Sequence, residues 1–267
     1  MRTNAGNRLW SQSCTLDELF EDFDPECAAL SGTDRWSTEW RIAGSDVVCS
    51  VANAGSVPLL QAQPVRQFSW RPRQRHRPGL QYLLTTGRHH GFESLEEQRF
   101  LLALDFAGRA RDVLSQPLRL RFMVAGRERT HTPDFLLLLP DGCWLVDVRP
   151  RKLIKPGDVE CFAAARHAAY VVGWRYSVVV GWLAHVTAGL EAMSAQRRPL
   201  EDRHGFERQL WEAAASESSF GELVGSTPLP VVARAHALHL LWHRHLGVDL
   251  SRPLDDGSTV VRGRRSP

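Results

Sequence analysis

Residues 131–149 read HTPDFLLLLPDGCWLVDVR, and this stretch decides the expected fold. Two apolar runs flank Pro-Asp-Gly at 140–142, a combination that predicts a hairpin turn between β-strands over 130–139 and 143–149. Asp134 lies six residues before the turn and Asp147 five after it, so the hairpin brings the two carboxylates near each other. Two neighbouring carboxylates repel, and a cation between them relieves the repulsion.

Asp134 has a simpler interpretation, whereas Asp147 is harder to explain without a cation. Asp134 follows Pro133 and could be a solvent-facing carboxylate at a strand end. Asp147 lies in the apolar run WLVDVR, where burying a lone carboxylate costs several kcal/mol, so it needs a cation. A hard, oxygen-liganded ion such as Mg²⁺ meets that need, and Mn²⁺ is expected to substitute. Arg149 shares a strand face with Asp147, because side chains two apart point the same way.

The flanking segments predict the rest of an α/β core. Ser94 followed by Glu97 is a capping-box signature, and the apolar spacing that follows places Glu97 on the buried side of a helix. Its simpler interpretation is the cap itself. Alternation over 116–124 predicts a strand. Residues 156–173 are predicted to form a helix, because Pro and Asp stand at its start and Gly at its end, and residues 174–182 a further strand that is parallel. The predicted order is α-β-β-β-α-β, with the first three strands as an antiparallel meander in a mixed sheet.

Composition shifts suggest three parts. Residues 1–60 are weakly patterned and read as a variable extension, and the α/β domain covers 61–196. Residues 197–267 form a small C-terminal domain, with a helix over 228–247, a hairpin turning at Asp256-Gly257 and a basic tail. Helices followed by a two-stranded hairpin resemble a winged helix. A small helical appendage with a hairpin stays open as the alternative.

The net charge of +3 is mild, but its distribution is informative, because no acidic residue occurs between Asp46 and Glu93. Arginines interleaved with aromatic and histidine side chains are typical of contact with nucleic-acid phosphates. The DNA-binding candidates are Arg66, Arg71, Arg73, Arg75, Arg77 and Arg88, together with Lys152. The alternative is a solvated loop in a chain that uses arginine for every basic residue except Lys152 and Lys155.

Several histidines invite a functional role. His131 and the pair His89-His90 could contact phosphate or assist the site, and solvated surface histidines are the simpler interpretation. His236, His239 and His243 share one face of the predicted late helix. A DNA-facing or solvated face is favoured there over a metal site, because the sequence offers no matching cluster of cysteines or carboxylates.

The remaining composition bounds the class of protein. The five cysteines contain no CxxC pair, so a zinc site or a disulfide framework is not expected, and a reducing cytoplasm fits. No apolar run approaches the roughly 20 residues that cross a bilayer, so no membrane partner is expected. The first residues lack the apolar segment of a signal peptide.

The order Glu97, Pro133-Asp134 and Asp147-x-Arg149 resembles the PD-(D/E)xK, or restriction-endonuclease-like, superfamily. A wider match is more specific. Residues 68–106, QPLRLRF (116–122), HTPDFL (131–136) and VDVRP (146–150) are similar to the TnsA-like endonuclease subunit of heteromeric transposases, in its actinobacterial form. The resemblance covers roughly residues 60–190, and the C-terminal segment resembles the small domain that follows the nuclease in those proteins.

This resemblance implies a Mg²⁺-dependent endonuclease of a Tn7-like system. It would cut one strand of double-stranded DNA at each transposon end, while a DDE-type transposase subunit processes the other. An AAA+ ATPase regulator is a further candidate partner. Glu97, Asp134 and Asp147 would hold the metal, and Arg149 stands where the superfamily has lysine.

The arginine at this position limits the chemistry. Arg149 can stabilise charge on a phosphate but cannot accept a proton, so a water activated by the metal would supply the nucleophile. Lys152 is the rival for the lysine's role. Three alternatives stay open: a catalytically weakened nuclease fold that binds DNA, one that docks the transposase, or a restriction or repair nuclease of the same superfamily. Whether the isolated chain cuts DNA stays open too.

Overall fold

The computed structural model describes residues 16–25, 30, 32–66, 78–183 and 185–263 of this α/β protein. The chain divides into two compact units. One is Phe20–Gly181, and the other comprises the described residues among 1–19 and 182–267. Residues 20–60, expected to be a variable extension, contribute three strands to the first unit. The predicted boundaries at 60 and 196 stay predictions.

The first unit contains strands and two long helices, and short 3₁₀ turns connect several of them. Its elements, in chain order, are β1 (Phe20–Phe23), β2 (Ser37–Ile42), β3 (Ser45–Ser50), β4 (Ala62–Gln63), β5 (Gly79–Leu83), β6 (Arg88–Phe92), α1 (Leu95–Ala107), β7 (Asp112–Ser115), β8 (Arg119–Val124), β9 (Arg127–His131), β10 (Phe135–Leu139), β11 (Gly142–Val148), α2 (Pro156–Val171) and β12 (Arg175–Trp182).

The central sheet is mixed and has the strand order β1-β12-β11-β10-β7. β10 and β11 form the predicted antiparallel hairpin, in which Phe135 pairs with Val146. β11 and β12 are parallel, as the intervening helix α2 predicts. The register of the hairpin, continued by one residue, sets Asp134 opposite Asp147. The predicted mixed sheet and the neighbourhood of the two aspartates are therefore both present.

The predicted meander is wrong in one respect. The single strand expected over 130–139 is two strands, because β9 pairs with β8 in a separate sheet of order β3-β2-β8-β9, while β10 lies in the central sheet. Pro133 between them has no N–H to donate, so it cannot continue a ladder. The strand expected over 116–124 therefore lies outside the central sheet, and β7 takes its place beside β10.

Both long helices are held by their apolar faces. α1 buries Phe100, whose ring stacks on Phe135 of β10 at 5.2 Å between centroids. Full burial of a side chain of this size contributes roughly 1.5–3 kcal/mol. α2 packs a run of alanines, including Ala164 and Ala165, against a core that contains Trp36. These contacts fix the N-terminal ends of both helices relative to the central sheet.

The second unit is mostly helical. Its elements are α3 (Val186–Ser194), α4 (Phe206–Ala213), β13 (Ser218–Ser219), α5 (Phe220–Gly225), α6 (Pro230–Trp242), β14 (Leu246–Val248) and β15 (Thr259–Arg262). The three strands form an antiparallel sheet of order β13-β15-β14. The predicted helices are followed by the predicted pair of strands, β14 and β15, with β13 as a third strand, and a winged-helix fold stays a prediction.

The late helix is shorter than predicted. α6 ends at Trp242 and not at Gly247, because Arg244 has a left-handed backbone (φ 61°) and the chain continues into β14. Gly247 lies inside that strand. In the described part of the chain, no helix has both the length and the apolar character needed to cross a bilayer. The three described cysteines, Cys49, Cys143 and Cys161, are free thiols.

Candidate functional site

A cleft of about 500 Å³ in the first unit is lined by all four predicted catalytic residues: Glu97, Asp134, Asp147 and Arg149. The N-terminus of α1, the residue before β10, the end of β11 and the start of α2 each supply a part of its wall. Its other charged residues are Glu93, Glu96, His131 and Asp158. The hairpin register and the two helix N-termini therefore bring side chains that are distant in the sequence, from Glu97 to Asp158, into one cleft.

Glu97 is held by the cap of α1. The Ser94 hydroxyl accepts from the Glu97 N–H (3.2 Å) and donates to Glu97 Oε1 (2.8 Å), while the Glu93 N–H donates to Oε2 (2.7 Å). The side chain is buried, and this burial raises the pKa of the Glu97 carboxyl despite those donors. Ser94 thus caps α1 as predicted, but Glu97 accepts from the Glu93 N–H and not from the Ser94 N–H that would complete a capping box. The same carboxylate lines the cleft.

Asp134 accepts one backbone hydrogen bond across the hairpin, from the Val148 N–H to Oδ2 at 2.7 Å. Burial raises the pKa of Asp134 well above its usual value, and the negative charges of Glu97 and Asp147 raise it further. Asp134 is half-buried and lines the cleft, so its carboxylate is not simply a surface group at a strand end. Its ionised form needs a cation that the protein side chains supply only in part.

Asp147 is almost fully buried and has two side-chain partners. His131 Nε2 lies 3.0 Å from both carboxylate oxygens, and the Tyr176 hydroxyl donates to Oδ2 at 2.7 Å. Burial alone would lower the pKa of His131, but the charge of Asp147 and its hydrogen bond raise it to about 10. His131 is therefore protonated at neutral pH, and it is the cation that the sequence argument required for Asp147.

Arg149 follows β11, and its backbone N–H donates to Val179 O of β12 (2.8 Å). Its Nε lies 3.4 Å from Asp158 Oδ2 at the start of α2, an ion-pair distance, and 40% of its side chain is exposed. Asp158 also accepts from the Lys155 N–H (3.0 Å) and so caps α2. Lys152 lies in the exposed 3₁₀ turn Arg151–Leu153 and is absent from the cleft lining.

The donor set fits a hard divalent cation. Glu97, Asp134 and Asp147 offer carboxylate oxygens, and the raised pKa values of Glu97 and Asp134 reflect negative charge that burial leaves poorly compensated. Mg²⁺ is typically held by one or two carboxylates and several waters. The ligand atoms of these three carboxylates are not all within 4.8 Å of one another. Among the described residues, one other group meets that distance.

That other group is Asp202, Glu207 and His236 in the second unit. His236 is buried, its Nδ1 lies 3.1 Å from Glu207 Oε1 and its Nε2 4.0 Å from Asp202 Oδ1. Both Asp202 oxygens also accept backbone N–H groups, from Phe206 (2.8 Å) and Glu207 (2.9 Å). Because the carboxylates lie at opposite nitrogens of one ring, we interpret the group as a partly buried hydrogen-bond network.

The neighbouring histidines, His239 in α6 and His243 just after it, each lie within hydrogen-bond distance of a backbone carbonyl oxygen. His239 Nδ1 lies 2.7 Å from Gln196 O, and His243 Nε2 lies 2.9 Å from Arg197 O. His236 is buried against Glu207, so the predicted DNA-facing or solvated position is wrong for this residue, whereas His239 is half-buried and His243 is exposed. The carboxylates of the 202–207 segment, distant in sequence, could not be matched to the helix beforehand.

Of the predicted DNA-binding residues, two form ion pairs in the first unit. Arg66 binds Glu93 and also donates to Gln116 Oε1 (3.4 Å), and Arg88 binds Asp112. Both guanidinium groups are more than half exposed, so phosphate could still reach them, but an acidic partner already offsets each charge. Arg71, Arg73, Arg75 and Arg77 lie outside the described residues.

Sequence reasoning missed Tyr176 and gave His131 too little weight. His131 carried one signal, its position three residues before Asp134 and next to a strand break at Pro133. Tyr176 carried none, because its role depends on the parallel register of β12 against β11. No protein-family model matches the chain, and comparison with curated proteins gives no significant match.

Proposed function

We propose that this chain is a cytoplasmic, metal-dependent DNA endonuclease of the PD-(D/E)xK type, acting as the TnsA-like subunit of a heteromeric transposase. The observation that carries the proposal is the convergence of Glu97, Asp134, Asp147 and Arg149 in one cleft. The carboxylates come from a helix N-terminus and the two strands of a hairpin, in the order that the sequence resemblance requires.

The charges of the cleft support a cation as cofactor. Burial raises the pKa values of Asp134 and Glu97, and positive charge between them would favour the ionised carboxylates. A bound Mg²⁺ supplies that charge, Lewis acidity toward a phosphate and a water of lowered pKa. Mn²⁺ prefers similar oxygen ligands and is expected to substitute.

The protein side chains then divide the remaining work. Glu97 and Asp134 are held in place by backbone N–H groups and by Ser94, so their free lone pairs face the cleft. The Arg149 guanidinium, half exposed at the cleft, donates to a non-bridging phosphate oxygen and offsets its charge. Arg149 cannot serve as the base, because its guanidinium keeps its proton.

The test is strand-specific cleavage. The purified chain is incubated with its DDE-type transposase partner, Mg²⁺ and a duplex that carries a transposon end with a distinct label on each strand. Wild type should cut one strand, and Asp134→Ala should lose that cut. Asp141→Ala is the matched control, since Asp141 is an exposed aspartate in the turn of the same hairpin and pairs only weakly with Arg109 (3.5 Å). Equal cleavage by Asp134→Ala and wild type would refute the proposal.

A second candidate is a nuclease fold that binds DNA or docks the transposase without cutting. The specific observation in its favour is that Arg149 pairs with Asp158 and Asp147 with His131, so two of the four proposed catalytic residues already have a charged partner. Calorimetric titration with Mg²⁺ and Mn²⁺ separates the two candidates. The endonuclease should bind metal more tightly than an Asp147→Asn variant, whereas a chain without a working site should not.

A further inference from the structure

Asp147 has more side-chain hydrogen-bond donors than the other carboxylates of the cleft, and their geometry limits how it can bind a metal. It lies near the end of β11, 2% exposed, between two valines. Its parallel neighbour on β12 is Val178, and Tyr176 precedes that residue by two positions. Side chains two apart share a face of the sheet, so the Tyr176 hydroxyl reaches Asp147 diagonally across the two strands.

The second donor comes from a different sheet, the one of order β3-β2-β8-β9. His131 is the last residue of β9, and the strand break that follows it turns the chain toward β10. Its Nε2 lies at the same distance, 3.0 Å, from both oxygens of Asp147, so a single N–H is shared between them. Asp147 is therefore anchored from two sheets at once, by His131 and by Tyr176.

The lone pairs that remain can be counted. An ionised carboxylate has about four acceptor positions, two on each oxygen. Oδ2 accepts from Tyr176 and shares the His131 N–H, so its positions are filled. Oδ1 shares the His131 N–H alone and keeps one position. Asp134 and Glu97 differ, since neither has more than one hydrogen-bond donor on any oxygen.

We propose that His131 and Tyr176 are positioning residues, which hold the Asp147 carboxylate so that Oδ1 alone coordinates the metal in the cleft. This inference rests on the proposed metal-dependent function. Hydrogen-bond partners of a metal ligand typically change metal affinity by about 10- to 100-fold when they are removed. A purely structural role would instead lower the stability of the fold and leave the affinity of the folded protein unchanged.

The test uses the full chain and Mn²⁺ as the probe, titrated by calorimetry at a fixed pH and well below the unfolding temperature of each variant. Tyr176→Phe removes only the hydroxyl, and His131→Leu removes the ring donor. His131→Gln keeps an amide donor in reach of Asp147. Tyr82→Phe is the matched control, because Tyr82 contacts His89 in the same unit and does not line the cleft.

We expect Tyr176→Phe and His131→Leu to bind Mn²⁺ about 10-fold or more weakly, His131→Gln to recover most of the loss, and Tyr82→Phe to match wild type. Wild-type affinity in both Tyr176→Phe and His131→Leu would overturn the positioning role. Failure of the proposed function looks different, since wild type would then bind no Mn²⁺, or Asp147→Asn would bind it equally well.

Discussion

The ion pair between His131 and Asp147 predicts a loss of stability in mildly alkaline solution. Asp147 raises the pKa of His131 to about 10 in the folded protein, against 6.5 for a free histidine. Because the folded pKa is the higher one, the pair stabilises the fold fully below pH 6.5, and the contribution is lost as the pH rises through about 10. The whole difference corresponds to about 5 kcal/mol.

The part that is open to measurement lies between pH 7 and pH 9. Over that range the folded protein keeps a proton on His131 that the unfolded chain has released, so the free energy of unfolding falls as the pH rises, by roughly 2–3 kcal/mol in total. Tyr176 does not titrate in this window, because burial raises its pKa well above the usual value.

The assay is urea unfolding in EDTA at pH 7, 8 and 9, followed by circular dichroism. Asp147→Asn removes the counter-charge, so its stability should lack the His131 contribution to the slope, and the difference between wild type and variant isolates the pair. His167→Gln is the control, since His167 packs its ring edge on Trp36 and should keep the wild-type slope. If wild type and Asp147→Asn lose the same stability between pH 7 and pH 9, the assigned charge on His131 is wrong.

Three further predictions concern the cleft. Asp134→Asn should raise the unfolding midpoint in EDTA. A carboxyl whose pKa is raised in the folded protein lowers the stability of the fold when it ionises, and asparagine does not ionise. Each kcal/mol corresponds to about 2–4 °C by calorimetry, and a lowered midpoint would contradict this prediction. Arg149→Ala should slow cleavage at least about 100-fold while Arg149→Lys stays within about tenfold of wild type in a timed assay, since a cation is retained; equal rates for all three would refute the role. Ser94→Ala should cost about 1 kcal/mol in urea unfolding by removing the cap of α1, and unchanged stability would show that the cap is dispensable.

The parts of the fold that follow from local sequence could be predicted. The Pro-Asp-Gly turn, the apolar runs of β10 and β11 and the cap at Ser94 are short-range signals, and all three elements are present. The sheet to which a strand belongs is a long-range property. Alternation over 116–124 correctly predicted a strand, but nothing in it distinguishes pairing with β9 and β2 from pairing with β10.

The candidate site divides in the same way. Asp134 and Asp147 could be placed together because they lie on one hairpin, and Glu97 because a cap and an apolar stripe fix its helix face. The partners of Asp147 could not be predicted from the sequence, since His131 and Tyr176 reach it from two different sheets. The ion pair of Arg149 with Asp158 depends likewise on how α2 begins after the turn that follows β11.

The two interpretations of Glu97, as a cap and as a metal ligand, support each other. The cap donates one hydrogen bond to each carboxylate oxygen, which fixes the group at the N-terminus of α1 and leaves acceptor positions free. Asp134 is fixed in the same manner by the Val148 N–H. Backbone donors from a helix end and a hairpin cost little entropy to arrange, because the fold has already ordered them. The buried negative charge that they hold in place exceeds the positive charge of His131 and Arg149, so a cation should enter this cleft before a phosphate can.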